Sequence, residues 1–266
     1  MKITSRDNSL LRHARAVRDG KVRDSIFVEG LRLSEEALMS GLKIETVIYS
    51  EEIGRKERAA RLIERFGKVC EQVASASEKL LESISYTKTP QGIVVLASRP
   101  AHDEAGFNAK QSSAPLLVIL HGINNPVNVG AILRTAEAAG VTGAIATANT
   151  ADPFSPKALR GAMGSAFRLP IWLGASFAEV ITWCVERGVR TVGADAQGPR
   201  TFTEIDWRPP RALILGTEST GLLPEEIASA NEAVKIPMSG SVESLNVAVA
   251  AGIILYEASR QRATND

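Results

Sequence analysis

Cysteine and histidine are scarce in this 266-residue chain. Cys70 and Cys184 stand far apart in no C-x-x-C spacing, which excludes a disulfide framework and a thiol redox motif and points to a reducing, cytoplasmic setting. His13, His102 and His121 are scattered, so no metal site is expected. No apolar run approaches the roughly 20 residues that a bilayer requires, so no membrane association is expected. The opening "MKITSRDNSLLRHARAVRDG" carries charges but no apolar stretch, so no secretory leader is expected. A G-x-G-x-x-G after the first strand is absent, as are a G-x-x-x-x-G-K-[ST] loop and a G-x-S-x-G elbow. Those absences argue against a nicotinamide enzyme, a nucleoside triphosphatase and a serine hydrolase.

What is present is an ordinary globular composition, 44% apolar and 23% charged, with its charge unevenly placed. Residues 1–23 hold Lys2, Arg6, Arg12, Arg15, Arg18, Lys21 and Arg23 against Asp7 and Asp19, a local +5. Residues 115–266 hold 12 basic and 14 acidic groups, a local −2. A basic end suits a polyanion such as nucleic acid, with a solvated helix face as the alternative. Residues 99–114, "RPAHDEAGFNAKQSSA", are polar and aperiodic and predict a linker. It separates a small α/β domain over 1–98 from a larger one over 115–266. In the first, a helix closes at Gly41 and a strand follows over Ile44–Tyr49. Ser75 and Glu78 have capping-box spacing before a further helix, and "GIVVLAS" reads as a strand. In the second, apolar runs such as "PLLVILHGI" and "RALILG" alternate with helical segments. That alternation predicts a mostly parallel sheet covered on both faces.

Three loops at predicted strand ends collect polar residues, the place where open α/β sheets bind ligands. "NNPVNVGAILRTAEAAG" offers Asn128 and, near two helical turns on, Arg134; both address one spot if Asn128 sits just before the helix. "LILGTESTGLLPEE" runs from Leu215 through Gly216 to Glu218 and Gly221. "KIPMSGSVESLN" leads into the apolar segment 247–255, with Ser244 a plausible helix cap and Asn246 in the first turn. Leu245 and Val247 predict burial around Asn246, and a buried amide needs partners.

Together these loops resemble the motifs of the SpoU–TrmH group of RNA ribose 2′-O-methyltransferases, of the SPOUT class. The matching residues are Asn128, Gly130, Arg134 and Thr135; Gly216, Glu218, Gly221 and Leu222; and Ile236, Pro237, Met238, Gly240 and Ser244 to Val247. "DPFSPKALRGAMGSAFRLPI" looks like the family's middle segment, and "FVEGLRLSEEAL" is similar to the substrate-binding domain often placed before it. Asn125 and Thr217 depart from an acid and an Asn that the motifs commonly carry.

The resemblance implies a C-terminal trefoil knot, bound S-adenosylmethionine and a homodimer that completes the active site. It assigns catalysis to Arg134, Asn128, Glu218, Ser244 and Asn246, and cofactor contacts to Leu215, Gly216, Ile236, Met238 and Leu245. Ala248, Ala250, Ala251 and Gly252 would allow close packing against the knot or a partner. Arg6, Arg12, Arg15, Arg18 and Lys21 would grip RNA, ribosomal rather than transfer RNA. A guanidinium is a poor base, so Arg134 is read as a phosphate clamp and support for a developing alkoxide, with the family's general-base reading kept open. A non-catalytic RNA-binding protein of the same fold is the alternative.

Overall fold

The computed structural model describes residues 1–108 and 114–263, which divide into two units. One holds residues 1–100 with 154–168, and the other holds the remainder. In the first, β1 (Lys2–Ile3), β2 (Ser25–Glu29), β3 (Ile44–Ser50), β4 (Val73–Ala76) and β5 (Ile93–Ser98) form one sheet, ordered β1-β4-β3-β5-β2. Strand β5 runs antiparallel to β2 and β3; the other pairs are parallel. Helix α1 (Ser9–Arg18) buries Leu11, Ala14 and Val17, one face at helical spacing, against Phe27, Ile48 and Leu96. Helices α2 (Leu31–Met39), α3 (Glu57–Gly67) and α4 (Glu78–Glu82) alternate with the later strands. Ser77, not Ser75, caps α4, accepting from the Leu80 amide at 3.4 Å. Ser75 is committed to β4, where its amide pairs with the Met1 carbonyl, so no helix can begin there.

The segment expected as a linker contains α5 (Glu104–Asn108). Phe107 is buried between Trp172 and Trp183, ring centroids 6.2 and 5.5 Å away, and the Trp183 indole donates to Asn108 at 3.0 Å. One large aromatic outweighs the polar composition around it. The rest of the expected linker includes residues 109–113, outside the described ones.

The second unit continues with β6 (Leu116–Leu120), α6 (Pro126–Ala138) and β7 (Gly143–Ala146). Helices α7 (Pro156–Ala162) and α8 (Ser165–Arg168) interrupt it and pack with the first unit, a departure from a simple division at the linker. Phe154 lies under the Arg99 guanidinium at 4.8 Å, and Arg168 pairs with Glu36. Met163 takes a left-handed conformation, φ 49°, between these two helices. Then follow β8 (Ile171–Leu173), α9 (Phe177–Glu186), β9 (Arg190–Ala194), β10 (Arg200–Thr201), β11 (Arg211–Leu215), α10 (Pro224–Ser229), β12 (Glu232–Lys235) and α11 (Val247–Ala263).

The seven strands of this unit lie in the order β10-β12-β9-β11-β6-β7-β8, every neighbouring pair parallel. All five residues of β6 and of β11 are buried, as expected of central parallel strands covered on both faces. Because the strands are parallel, their C-terminal ends share one edge. The order reverses where β11 inserts between β9 and β6, which marks that edge as the place for a site. Helix α11 packs on α6, with Gly252 against Thr135. Arg262 pins its far end by donating to the carbonyls of Trp207, Ala114, Pro115 and Pro209.

Candidate active site

The loops after β6, β9, β11 and β12 surround one cavity of about 820 Å³. Its chemistry begins at the β6–α6 junction. Pro126 fits the first helical position and Asn125 caps the helix, its side chain accepting from the Val127 amide at 3.0 Å. The helix therefore starts two residues before Asn128. Asn128 sits in its first turn, 8% exposed, and points into the cavity.

Glu218, from the loop after β11, closes this junction. Its carboxylate accepts from the Asn124 amide at 3.2 Å, the Asn125 amide at 3.1 Å and the Asn128 side chain at 3.0 Å. Burial pushes the Glu218 pKa up. Hydrogen bonds from Asn128 and from the backbone of Asn125, Glu218 and Asn124 outweigh it, and the carboxyl titrates below its ordinary value. The Asn128 carbonyl oxygen accepts in turn from the Asn246 side-chain amide at 3.2 Å. Glu218, Asn128 and Asn246, distant in the chain, thus form one polar relay across three loops.

Asn246, not Ser244, caps α11. Its side-chain oxygen accepts from the amides of Ala248 at 2.9 Å and Val249 at 3.4 Å. The helix begins three residues after Ser244, which lines the cavity in an exposed loop. Asn246 is exposed as well; the burial predicted from its apolar neighbours is not found, because Leu245 and Val247 are themselves only half-buried at the mouth. Helix α11 buries Ala251, Ile254, Leu255 and Ala258 and leaves Val249, Ile253 and Tyr256 exposed, so it is not buried all round.

Leu215, Gly216, Ile236, Met238 and Leu245 all line the cavity, with Ile254 beside them. Gly216 is required by space: a Cβ there would lie 2.4 Å from the Gly221 carbonyl carbon. The two residues flank a tight turn in which Thr217 and Gly221 exchange backbone hydrogen bonds at 3.1 and 3.0 Å. Gly221, at φ 67°, supplies the left-handed backbone.

Arg134 does not line the cavity. It is exposed on α6. With the helix starting at Pro126, Asn128 and Arg134 are both helical. Six residues turn the helix by about 600°, leaving the two roughly 120° apart. The N-terminal basic set is also divided. Arg6, Arg12 and Lys21 are exposed, whereas Arg15 bonds Ser83 and the Arg6 carbonyl. Arg18 pairs with Asp19 and donates to the carbonyls of Ser83 and Ser85.

Three residues of the site were not foreseen. Asp195 and Glu243 line the cavity; Asp195 immediately follows β9, and position after a parallel strand is the signal that finds it. His121, at the end of β6, contacts Glu226 at 2.7 Å and Thr147 at 3.0 Å, and its ring lies 4.5 Å from that of Phe177. It braces the first loop from behind. With Glu218, the lining carries three carboxylates and, among the described residues, no Lys or Arg. No group of His, Cys, Asp or Glu able to hold a metal occurs among the described residues, nor any helix long and apolar enough to cross a membrane.

Comparison with known proteins identifies the family. The SpoU rRNA Methylase family matches residues 115–256, and the MRM3-like substrate binding domain matches residues 8–95. The 23S rRNA (uridine(2479)-2′-O)-methyltransferase of Streptomyces viridochromogenes is 32% identical over 88% of this chain and 82% of its own. The 23S rRNA (guanosine-2′-O-)-methyltransferase RlmB of Bordetella pertussis is 34% identical over 81% and 89%. The AdoMet-bound rRNA methyltransferase of Sinorhizobium meliloti superposes with a TM-score of 0.85 at 31% identity, covering 98% of this chain and 97% of its own.

Proposed function

The chain belongs to the SpoU rRNA Methylase family, and from that membership we propose that it transfers a methyl group from S-adenosylmethionine to a ribose 2′-hydroxyl of structured RNA, ribosomal RNA before transfer RNA. The observation that carries the reading is the relay Glu218–Asn128–Asn246 in a cavity lined by both apolar side chains and carboxylates.

The cavity fits the cofactor. Its volume lies in the range of small-molecule sites, roughly 300–1,000 Å³. Leu215, Ile236, Met238 and Leu245 offer apolar surface to an adenosine, and the carboxylates of Asp195, Glu218 and Glu243 complement a cation. Bound S-adenosylmethionine supplies a methyl group on an electrophilic sulfonium. The chain's own residues supply position: Glu218 fixes Asn124, Asn125 and Asn128, Asn128 orients Asn246, and Ser244 stands free to meet the ribose. Holding acceptor oxygen and methyl in line is the main contribution asked of such a site.

Among the described residues, the lining has no Lys or Arg to meet an RNA phosphate. Arg134 fills that role from a second copy, as phosphate clamp and support of the developing alkoxide. Exposed Val249, Ile253 and Tyr256 of α11 and Val127 of α6 give the homodimer its apolar face. The knot is part of the same reading. Strand β12 lies outside β9, yet α11 returns to α6, so segment 236–246 runs past the loops at 194–196 and 216–221. Arg6, Arg12 and Lys21 form the phosphate-gripping patch, and the protein acts in the cytoplasm, where its RNA is.

The test is labelled methyl transfer to purified ribosomal and transfer RNA, with mapping of alkali-resistant linkages and calorimetry of cofactor binding. Cofactor binding with label in ribosomal RNA is expected. RNA binding without cofactor binding or label would favour the non-catalytic reading.

A further inference from the structure

The first unit contains a second cavity, of about 210 Å³, roughly a quarter of the first. It is lined from β2, α2, the turn at 85–91 and α7. Tyr86 stands at its edge, 45% exposed, an unusual place for a large aromatic whose backbone is firmly held. Glu29 does the holding: its carboxylate accepts from the amides of Tyr86 at 2.9 Å and Thr87 at 3.2 Å, from the Thr87 hydroxyl at 2.9 Å and from the Ser85 hydroxyl. Arg18 ties the same turn through the Ser85 carbonyl at 3.2 Å. Five hydrogen bonds thus fix a turn whose ring has no aromatic or cationic partner among the described residues. Arg32 and Arg160 face the cavity from α2 and α7, exposed and without an ion pair or side-chain hydrogen bond among the described residues. The Gln91 side-chain amide lines the wall, likewise without a hydrogen bond among the described residues. Gly30 leaves it room: a Cβ there would lie 2.3 Å from the Gln91 Oε1.

A rigid aromatic, two free guanidinium groups and an amide around a space for one ring system match an unpaired nucleotide: a π-face for the base, an amide for its edge, cations for its phosphate. We propose that this cavity captures one unstacked nucleotide of the RNA substrate, with Tyr86 stacking on its base, Gln91 meeting its edge, and Arg32 and Arg160 contacting the phosphate. The exposed Arg6, Arg12 and Lys21, on and beside α1, would track the adjoining strand. The proposal rests on the RNA-substrate reading above but not on methyl transfer.

The test uses the full chain and two fluorescein-labelled RNAs, a hairpin with an unpaired uridine-rich loop and the same stem closed as an uninterrupted duplex. Anisotropy titrations give both affinities. Tyr86→Ala should weaken hairpin binding by about 5- to 150-fold, the range of one base–aromatic stack, and leave duplex binding unchanged. Tyr86→Phe should restore it, since the hydroxyl is not used. Arg160→Gln should weaken hairpin binding and lower its salt slope by about one. Unaltered melting temperatures, expected for exposed side chains, exclude misfolding. Hairpin binding unchanged in Tyr86→Ala, or lost equally for hairpin and duplex, overturns the proposal. Wild-type chain that binds neither RNA overturns the RNA-substrate reading with it. Wild-type chain that binds the hairpin and cofactor but transfers no methyl group overturns only the catalytic reading.

Discussion

Replacing Asn128 by Asp tests the relay most directly, because it keeps size and shape and changes one donor into a charge. In the native site the Asn128 amide donates to Glu218 at 3.0 Å. The variant sets two carboxylates at that distance. With charge centres about 4 Å apart, the repulsion is about 1 kcal/mol in bulk water and about 4 kcal/mol at an effective dielectric of 20. Asn128 is buried and Glu218 lies at an exposed rim, so the cost falls between those limits. At about 1.4 kcal/mol per pKa unit, the upper pKa of the pair rises by roughly one to three units. The sign follows. Native Glu218 titrates below its ordinary value, so its contribution is present above the unfolded pKa and is lost only as pH falls through the folded one. Native stability is therefore insensitive to this group between pH 5 and 8. In the variant the raised pKa makes the pair costly at high pH, and the cost is relieved as pH falls and one proton is taken up. Urea denaturation at pH 8 and pH 5 should show a large stability gap to wild type that narrows at the lower pH, and cofactor affinity should follow. Asn128→Ala, which adds no charge, should lose a charge-assisted hydrogen bond, about 1.5–3 kcal/mol, at both pH values. A gap independent of pH in Asn128→Asp would refute the coupling of Asn128 to Glu218.

Three further predictions rest on separate features. Gly216→Ala must displace the Gly221 backbone and should lower cofactor affinity at least tenfold, whereas Gly221→Ala meets no atom within 4 Å and bears only the strain of φ 67°; calorimetry showing the reverse ranking would refute the steric reading. Arg134→Ala and Glu218→Gln chains should each be inactive alone and regain methyl transfer when unfolded together and refolded as a mixture, since a site shared across a dimer leaves one intact centre; no recovery would place Arg134 in its own chain's chemistry. Burial pushes the Cys184 thiol up to about 12 and raises that of Cys70, so at pH 8 neither should react with Ellman's reagent until the chain unfolds; rapid labelling of folded protein would contradict their burial.

The parallel sheet was legible because its central strands are apolar on both faces and need no partner information: "PLLVIL" and "RALIL" read as buried strands and are. Convergence of the three loops was legible for a related reason, since parallel strands bring every following loop to one edge. What the chain did not disclose is direction. Whether Asn128 and Arg134 meet depends on where the helix starts, and Pro126 with its Asn125 cap starts it three residues earlier than a shared target requires. The same applies to the cap of α11, which passes from Ser244 to Asn246 because the helix begins at Val247. Phe107 shows the complementary limit: its polar neighbours read as linker, and only the Trp172–Trp183 pair, distant in sequence, gives it a place to bury. The basic end was legible as charge but not as function, because Arg15 and Arg18 turn inward to hold the turn at 83–85 while Arg6, Arg12 and Lys21 stay outside. Charge counting cannot separate those two sets, since the carbonyls that claim Arg15 and Arg18 come mostly from residues more than sixty positions away. The division has a structural use: the two arginines that turn inward, Arg15 and Arg18, are those that fix the turn leading into Tyr86, so part of the N-terminal charge holds an aromatic still rather than standing in solvent.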